Sequence, residues 1–245
     1  KVLIVFVAGT VLMRSAGCVV NDLADRDIDP HVARTAQRPI AAGRVGTGEA
    51  VRLFVGLCLI ALGFVEQLDT RTVLLSVPAV LLAASYPYAK RWHSLPQAHL
   101  GLAFAWGIPM AFSAVRRTIP WELCGVLVLA TVLWAIAYDT FYAMADREED
   151  RRIGVKSSAL LFGRADRAVT ALLQTLTLTL LLAAGLFAHR HAPYYAGLAV
   201  AAVLAAWEQW QIRARDPAGA FAAFLHSRHF GAVVFAGLAL DTLWH

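Results

Sequence analysis

Two acidic clusters punctuate a chain that is otherwise apolar. The first reads Asn21-Asp22-Leu23-Ala24-Asp25-Arg26-Asp27-Ile28-Asp29, and the second runs from Asp139 through Tyr142 to Asp146-Arg147-Glu148-Glu149-Asp150. Carboxylates beside hydrocarbon are expensive, so each cluster needs a reason. On a helix, Asp22, Asp25 and Asp29 fall at i, i+3 and i+7, on one face. Asp139, Tyr142, Asp146 and Asp150 fall at i, i+3, i+7 and i+11, again on one face. Two such stripes lining one cavity would repel, at about 3 kcal/mol for each carboxylate pair ~6 Å apart at an effective dielectric of 20. A hard divalent cation relieves that repulsion, and all-oxygen donors suit Mg²⁺, which commonly bridges to phosphate oxygens. The pattern points to an enzyme handling a diphosphate at a membrane surface.

Other residues near these clusters carry less. Asp27 points off the shared face and reads as a cap or solvated charge. Glu148 and Glu149 read as solvated charges between donor positions. Arg34, Arg38, Lys90, Arg91, Arg152 and Lys156 could neutralise a diphosphate. An allylic diphosphate would ionise to a carbocation, which needs a dry pocket and gains from aromatic faces. Tyr86, Trp134, Tyr138, Phe141 and Tyr142 sit near the relevant segment ends. Most of these read as packing or interface residues; Tyr142 is the exception because it shares the acidic face. No Ser-His-Asp pattern or glycine-rich phosphate loop stands out, and the histidines lack metal-ligand spacing.

The elements that must carry these residues are membrane spans. Of 245 residues, 59% are hydrophobic and 16% charged, with mean hydropathy +0.59. Soluble domains average about 25% charged. Eight apolar segments are expected, near 2–20, 51–68, 72–88, 97–115, 121–144, 167–188, 193–212 and 229–244, the third and eighth being short. They lack the alternation of a β-barrel. An all-α polytopic membrane bundle follows, as a single transmembrane domain over 1–245. The cysteines, Cys18, Cys58 and Cys124, lie in apolar runs and read as small hydrophobes. No signal peptide is visible.

Charge supplies orientation. The first, third, fifth and seventh connections hold fifteen Lys and Arg residues and the other three hold four. The positive-inside rule places the odd connections, and both acidic clusters, in the cytoplasm. The same asymmetry accounts for the net charge of +5 without nucleic acid.

The motifs and their surroundings resemble the UbiA superfamily of intramembrane aromatic prenyltransferases. Asn21-Asp22-x-x-Asp25-x-x-x-Asp29 is similar to that family's first aspartate motif, and Asp146-x-x-x-Asp150 to its second. Met13-Arg14-Ser15-Ala16-Gly17-Cys18 precedes the first and Arg34-Thr35-Ala36-Gln37-Arg38-Pro39 follows it. Tyr86-Pro87-Tyr88-Ala89-Lys90-Arg91 matches a Tyr-x-x-x-Lys element. Tyr138-Asp139-Thr140-x-Tyr142-Ala143-Met144 and Ile153-Gly154-Val155-Lys156-Ser157 flank the second motif. With Leu95-Pro96-Gln97 and Ile108-Pro109-Met110, the likeness is greatest to the 4-hydroxybenzoate polyprenyltransferase branch, and it covers essentially the whole chain.

The resemblance implies Mg²⁺-dependent transfer of a polyprenyl group from its diphosphate to the ring carbon ortho to the hydroxyl of 4-hydroxybenzoate, a step of ubiquinone synthesis. By position, Asp22, Asp25, Asp29, Asp146 and Asp150 would be metal ligands, with Asn21 beside them. Arg34, Arg38, Lys90 and Lys156 would serve the substrate phosphates, and Arg91 the acceptor carboxylate. Asp139 would steer or deprotonate the phenol, or complete the metal shell. Partners would be the polyprenyl diphosphate, 4-hydroxybenzoate and the lipid bilayer, in a bacterial inner membrane. Another UbiA-type acceptor (haem, a naphthoate or homogentisate) is the nearest alternative; an ion-coupled transporter would hold its carboxylates nearer the bilayer midplane. Family members usually have nine helices, so an N-terminal helix is expected to be missing here.

Overall fold

The computed structural model describes residues 1–31 and 35–244, with the side chains of His31 and Lys90 outside that set. Thirteen α-helices follow in order among these residues: α1 Val2–Ala24, α2 Thr47–Val65, α3 Thr70–Ser85, α4 Ala89–Trp92, α5 Pro96–Ala105, α6 Gly107–Arg116, α7 Trp121–Ala145, α8 Arg147–Ile153, α9 Ser158–Phe162, α10 Asp166–Phe187, α11 Ala192–Gln211, α12 Pro217–His226 and α13 Arg228–Trp244. No strand occurs among the described residues.

Every expected apolar segment is helical, but among the described residues six runs are long and apolar enough to cross a membrane: Val2–Ala24, Thr47–Val65, Pro96–Arg116, Trp121–Ala145, Ser158–Phe187 and Pro217–Trp244. Two of the eight expected segments fall outside that set. α3 has only 16 residues. α11 has 20 but ends on Glu208, Gln209 and Gln211. The expected eighth segment, 229–244, proves to be the second half of a longer run that begins with α12. That helix, and α8 and α9, lie where connections were expected, because charged and small residues break the apolar pattern there.

The chain forms two compact units, Lys1–Ala89 with Trp106–Ile119, and Lys90–Ala105 with Pro120–His245. In the first, α1 lies along α2, and α3 lies against α6. Asp69 starts α3 by accepting the Thr72 N–H at 3.1 Å and the Thr72 hydroxyl at 2.5 Å. That bond holds the Asp69 carboxyl below the ordinary carboxylate range. The Thr72 and Ser113 hydroxyl oxygens lie 2.9 Å apart, within hydrogen-bond distance, which ties α3 to α6.

In the second unit, α7 is the central post, contacted by α5, α10 and α12, while α11 lies along α13. Gly101 sets the approach of α5 to α7: a Cβ there would sit 2.9 Å from the Val132 Cα and 3.0 Å from the Ala135 Cβ. Small residues at helix contacts are the usual means of close packing in lipid. Phe141, Met144, Ala159, Ile212, Ala220 and Ala223 form the buried core at the α8 end of α7. Large apolar side chains such as Leu3, Leu74, Trp121 and Phe235 are exposed, as suits a lipid-facing surface.

Candidate active site

In the first unit, α1 stops at Ala24, so Asp22, Asp25 and Asp29 do not share one helix face as expected. Asp25 is the C-cap (φ −95°, ψ 7°), and its N–H donates to the Asn21 carbonyl at 3.0 Å. Asp29 opens a short 3-10 turn, Asp29–His31. The chain still gathers the three, because the Asp29 N–H returns to the Asp25 carbonyl at 2.8 Å. Proline at position 30 restrains the backbone of the residue before it from continuing as α-helix.

Arg38 closes the cluster. Its Nη1 lies 3.1 Å from the Asp22 carboxylate and 3.0 Å from that of Asp29. Thr35 adds a bond from its hydroxyl to the Asp29 carbonyl at 3.1 Å. Asp25 and Asp29 are both 4% exposed. Arg38, expected on the substrate phosphates, is thus found on the carboxylates. Asp27 is the exposed residue it was expected to be, paired with Arg26 at 3.4 Å. Arg34 lies outside the described residues.

In the second unit the acidic stripe runs through a bend. α7 ends at Ala145, Asp146 stands at the junction (φ −96°, ψ 4°), and α8 begins at Arg147. The Asp150 N–H donates to the Asp146 carbonyl at 2.9 Å, so the two residues stay one turn apart. Gly154, at φ 78°, ends α8, and its N–H and that of Val155 both reach the Asp150 carbonyl. Two turns earlier, the Asp139 carboxylate lies beside the Gln97 side chain of α5, with Asp146 and Asp150 as its charged neighbours.

The basic residues of this unit separate. Lys156 donates to the Trp92 carbonyl at 3.4 Å and lines an open cleft of about 340 Å³ with Asp150, Gly154, Ser94 and Ser157. Arg91 is exposed on α4. The Lys90 side chain is outside the described set. Tyr142, singled out for sharing the acidic face, stacks obliquely on Phe224 at 4.9 Å and lies 6.4 Å from Phe221. Glu148 is exposed and paired with Arg151 at 2.7 Å.

The donor set fits Mg²⁺ in kind: carboxylates and an amide oxygen, with no sulfur or imidazole among them. Among the described residues, no three Asp, Glu, His or Cys side chains converge closely enough to form a metal site by themselves. That is compatible with a cation that takes its remaining ligands from substrate phosphate and water.

Residues 1–233 match the pattern of the UbiA prenyltransferase family. The chain belongs to that family. It is 55% identical over 243 residues to a 4-hydroxybenzoate octaprenyltransferase of Nitrosococcus oceani, covering 99% of this chain and 85% of that one. A 4-hydroxybenzoate octaprenyltransferase of Alkalilimnicola ehrlichii is 53% identical over 241 residues, covering 98% and 82%. Among solved structures, an apo UbiA homologue from Aeropyrum pernix K1 superposes with a TM-score of 0.84 at 28% identity, over 98% of this chain and 89% of that one. A UbiA homologue from Archaeoglobus fulgidus bound to GPP and Mg²⁺ has the same fold, with a TM-score of 0.71 at 16% identity over 96% and 87%. As a UbiA member with six helical runs long and apolar enough to cross a membrane among the described residues, the chain is an integral membrane protein.

Three features of the site went unread in the sequence. Gln97 lay in an apolar stretch and gave no charge signal. Phe221 and Phe224 sat in what read as a connection. Arg14 stands in the Met13–Cys18 stretch that carries the family resemblance, without a role of its own there, yet an arginine inside a 23-residue apolar helix is itself a functional signal. It lies seven residues before Asn21, so it faces the same side of α1, about 10 Å further along the helix.

Proposed function

We propose that this chain transfers a polyprenyl group from polyprenyl diphosphate to the ring carbon ortho to the hydroxyl of 4-hydroxybenzoate, as a step of ubiquinone synthesis. The observation that carries the acceptor is the 55% identity, over nearly the full chain, to a protein named for that reaction. The Mg²⁺ requirement is supported by the oxygen donors at the ends of α1 and α7 and by the GPP- and Mg²⁺-bound relative. Both clusters would face the cytoplasm of a bacterial inner membrane, since the cationic residues gather in the same connections.

Asp22, Asp25 and Asp29 with Asn21, and Asp146 with Asp150, each supply oxygens toward Mg²⁺. When bound, that ion screens the carboxylates from the diphosphate and makes the diphosphate a better leaving group. Lys90, Lys156 and Arg34 add positive charge for the phosphates, and Arg38 holds Asp22 and Asp29 in place. The prenyl C1–O bond breaks and the diphosphate keeps the electron pair. The ring carbon ortho to the oxygen forms the new C–C bond, and loss of its proton restores aromaticity. Asp139, oriented by Gln97, accepts or steers the phenol proton so that the ring is electron-rich. Tyr142, backed by Phe224, presents an aromatic face to developing positive charge. Arg91 pairs with the acceptor carboxylate.

The test is mass analysis of products from membranes carrying the protein, given Mg²⁺, a polyprenyl diphosphate and a panel of 4-hydroxybenzoate, homogentisate, a naphthoate and haem. Prenylated 4-hydroxybenzoate is expected, and its formation should stop in EDTA. Asp22→Asn and Asp146→Asn should each lower turnover by roughly a hundredfold or more with membrane insertion intact. Prenylation of another acceptor in preference to 4-hydroxybenzoate would overturn the acceptor.

A further inference from the structure

Asp166, the first residue of α10, is fully buried. Its two carboxylate oxygens are taken by two guanidinium groups, Oδ2 by Arg147 Nη2 and Oδ1 by Arg215 Nη2. The Arg215 Nη2 also donates to the Gly163 carbonyl at 2.8 Å. Three segments of the second unit therefore meet at one carboxylate. They are the start of α8, the start of α10 and the link between α11 and α12. Arg215 is held at φ 58° in that link.

The cluster matters because of where Arg147 sits. It directly follows Asp146, at the junction where the backbone leaves helical geometry and α8 departs from α7. The first residue of α8 is held there by Asp166, through Arg147. The direction of α8 in turn sets where Asp150 lies relative to α7, while the i+4 bond keeps it one turn from Asp146. Arg147, adjacent to the motif and cationic, would otherwise pass for a phosphate ligand. Its side chain is only 19% exposed and its charge is committed to a buried partner.

We propose that Asp166 is a positioning residue for the second aspartate motif: through Arg147 it sets the direction in which α8 carries Asp150 away from α7, on which metal binding at that motif depends. The proposal rests on the reading of Asp146 and Asp150 as Mg²⁺ donors. Partners that orient metal ligands commonly account for a 10–100-fold share of metal affinity. Arg147 reaches the buried carboxylate through Nη2 alone, one bond further from the backbone than a lysine ammonium extends, so a lysine at position 147 keeps the charge but falls short of the contact.

A matched control exists at the other end of α10. Asp241, 1% exposed, accepts from Arg190 Nη1 at 3.5 Å and from the His191 N–H at 2.8 Å. It is the same kind of buried arginine–aspartate contact, about 33 Å along the helix from Asp166.

The experiment is titration of the purified full chain in detergent with Mn²⁺, in the presence of inorganic pyrophosphate, read by electron paramagnetic resonance, with a thermal melt of each variant. Asp146→Asn should weaken Mn²⁺ binding; if it does not, the metal reading itself fails, and the positioning proposal with it. Given that it does, Arg147→Lys should weaken binding by about tenfold or more. Arg190→Lys should lower the melting temperature without moving the affinity. Unchanged Mn²⁺ affinity in Arg147→Lys, or an equal loss in Arg190→Lys, would overturn the proposal and leave Asp166 as a stabilising ion cluster.

Discussion

The side chain of Gln97 lies beside the carboxylate of Asp139, across the contact of α5 with α7, while its own Oε1 is buried without a partner among the described residues. Gln97 is 4% exposed, so the arrangement is fixed by packing rather than by solvent. A hydrogen bond to an ionised group is worth about 1.5–3 kcal/mol. Replacing Gln97 with leucine removes that amide and leaves Asp139 to find another orientation. We expect Gln97→Leu to lower kcat by roughly ten- to a hundredfold, with the KM for prenyl diphosphate little changed. Initial rates at varied concentrations of each substrate check this, and a wild-type kcat would mean that Asp139 does not depend on Gln97.

Gly101 lies one helical turn after Gln97 on the same face of α5, and the Val132 Cα leaves no room for a β-carbon there. Overpacking of this kind costs typically about 1–3 kcal/mol. Gly101→Ala should lower thermal stability in detergent and, by moving Gln97 away from Asp139, lower kcat as well. Gly56, with open space around its Cβ position, is the comparison: Gly56→Ala should change neither. A Gly101→Ala protein with normal melting temperature and normal rate would show that the α5–α7 contact can shift without consequence.

Arg38 bridges Asp22 and Asp29 through the single nitrogen Nη1, not through a bidentate fork. A lysine ammonium can reproduce such a contact in part, whereas a neutral glutamine cannot. Three neighbouring carboxylates without their cation would repel by a few kcal/mol, about 3 kcal/mol per pair at ~6 Å. Arg38→Gln should therefore raise the Mg²⁺ concentration needed for half-maximal activity or lower stability at low Mg²⁺, and Arg38→Lys should do so less. Equal effects of the two variants in a Mg²⁺ titration would assign Arg38 to substrate rather than to the cluster.

The helical class, the positions of the apolar segments and the two acidic clusters were legible because lipid forces long apolar runs and penalises every charge within them. The end of α1 was less so. Spacing alone put Asp29 on the helix, but Pro30 and the Arg38 bridge draw it into a separate turn. Short helices such as α8 and α12 were hidden because their places are set by contacts, α8 with α9 and α12 with α7, and α8 buries no residue that would give it a pattern of its own. Gln97 and Asp166 could be recognised only once tertiary contacts showed what they hold. Arg14 was legible as part of the Met13–Cys18 stretch, but only the length of α1 shows it as a charge inside an apolar helix.

That arginine sharpens the last prediction, which concerns the acceptor. A benzoate needs a cationic partner, and guanidinium binds carboxylate through two parallel hydrogen bonds that lysine does not reproduce. Arg91 is exposed on α4 near the expected phosphate-binding lysine, and Arg14 is exposed on α1 on the Asn21 side. If Arg91 takes the acceptor, Arg91→Lys should raise the KM for 4-hydroxybenzoate by about tenfold or more, the worth of one charge-assisted bond, and leave the KM for prenyl diphosphate nearly unchanged. Arg14→Lys should then affect neither strongly. If Arg91 serves only as a positive charge at the cytoplasmic end of the span, Arg91→Lys preserves that charge and both KM values. The reverse result, a raised KM for 4-hydroxybenzoate in Arg14→Lys alone, would move the acceptor carboxylate about two turns along α1 from Asn21. Steady-state kinetics of the two single variants, with both substrates varied, separates these outcomes.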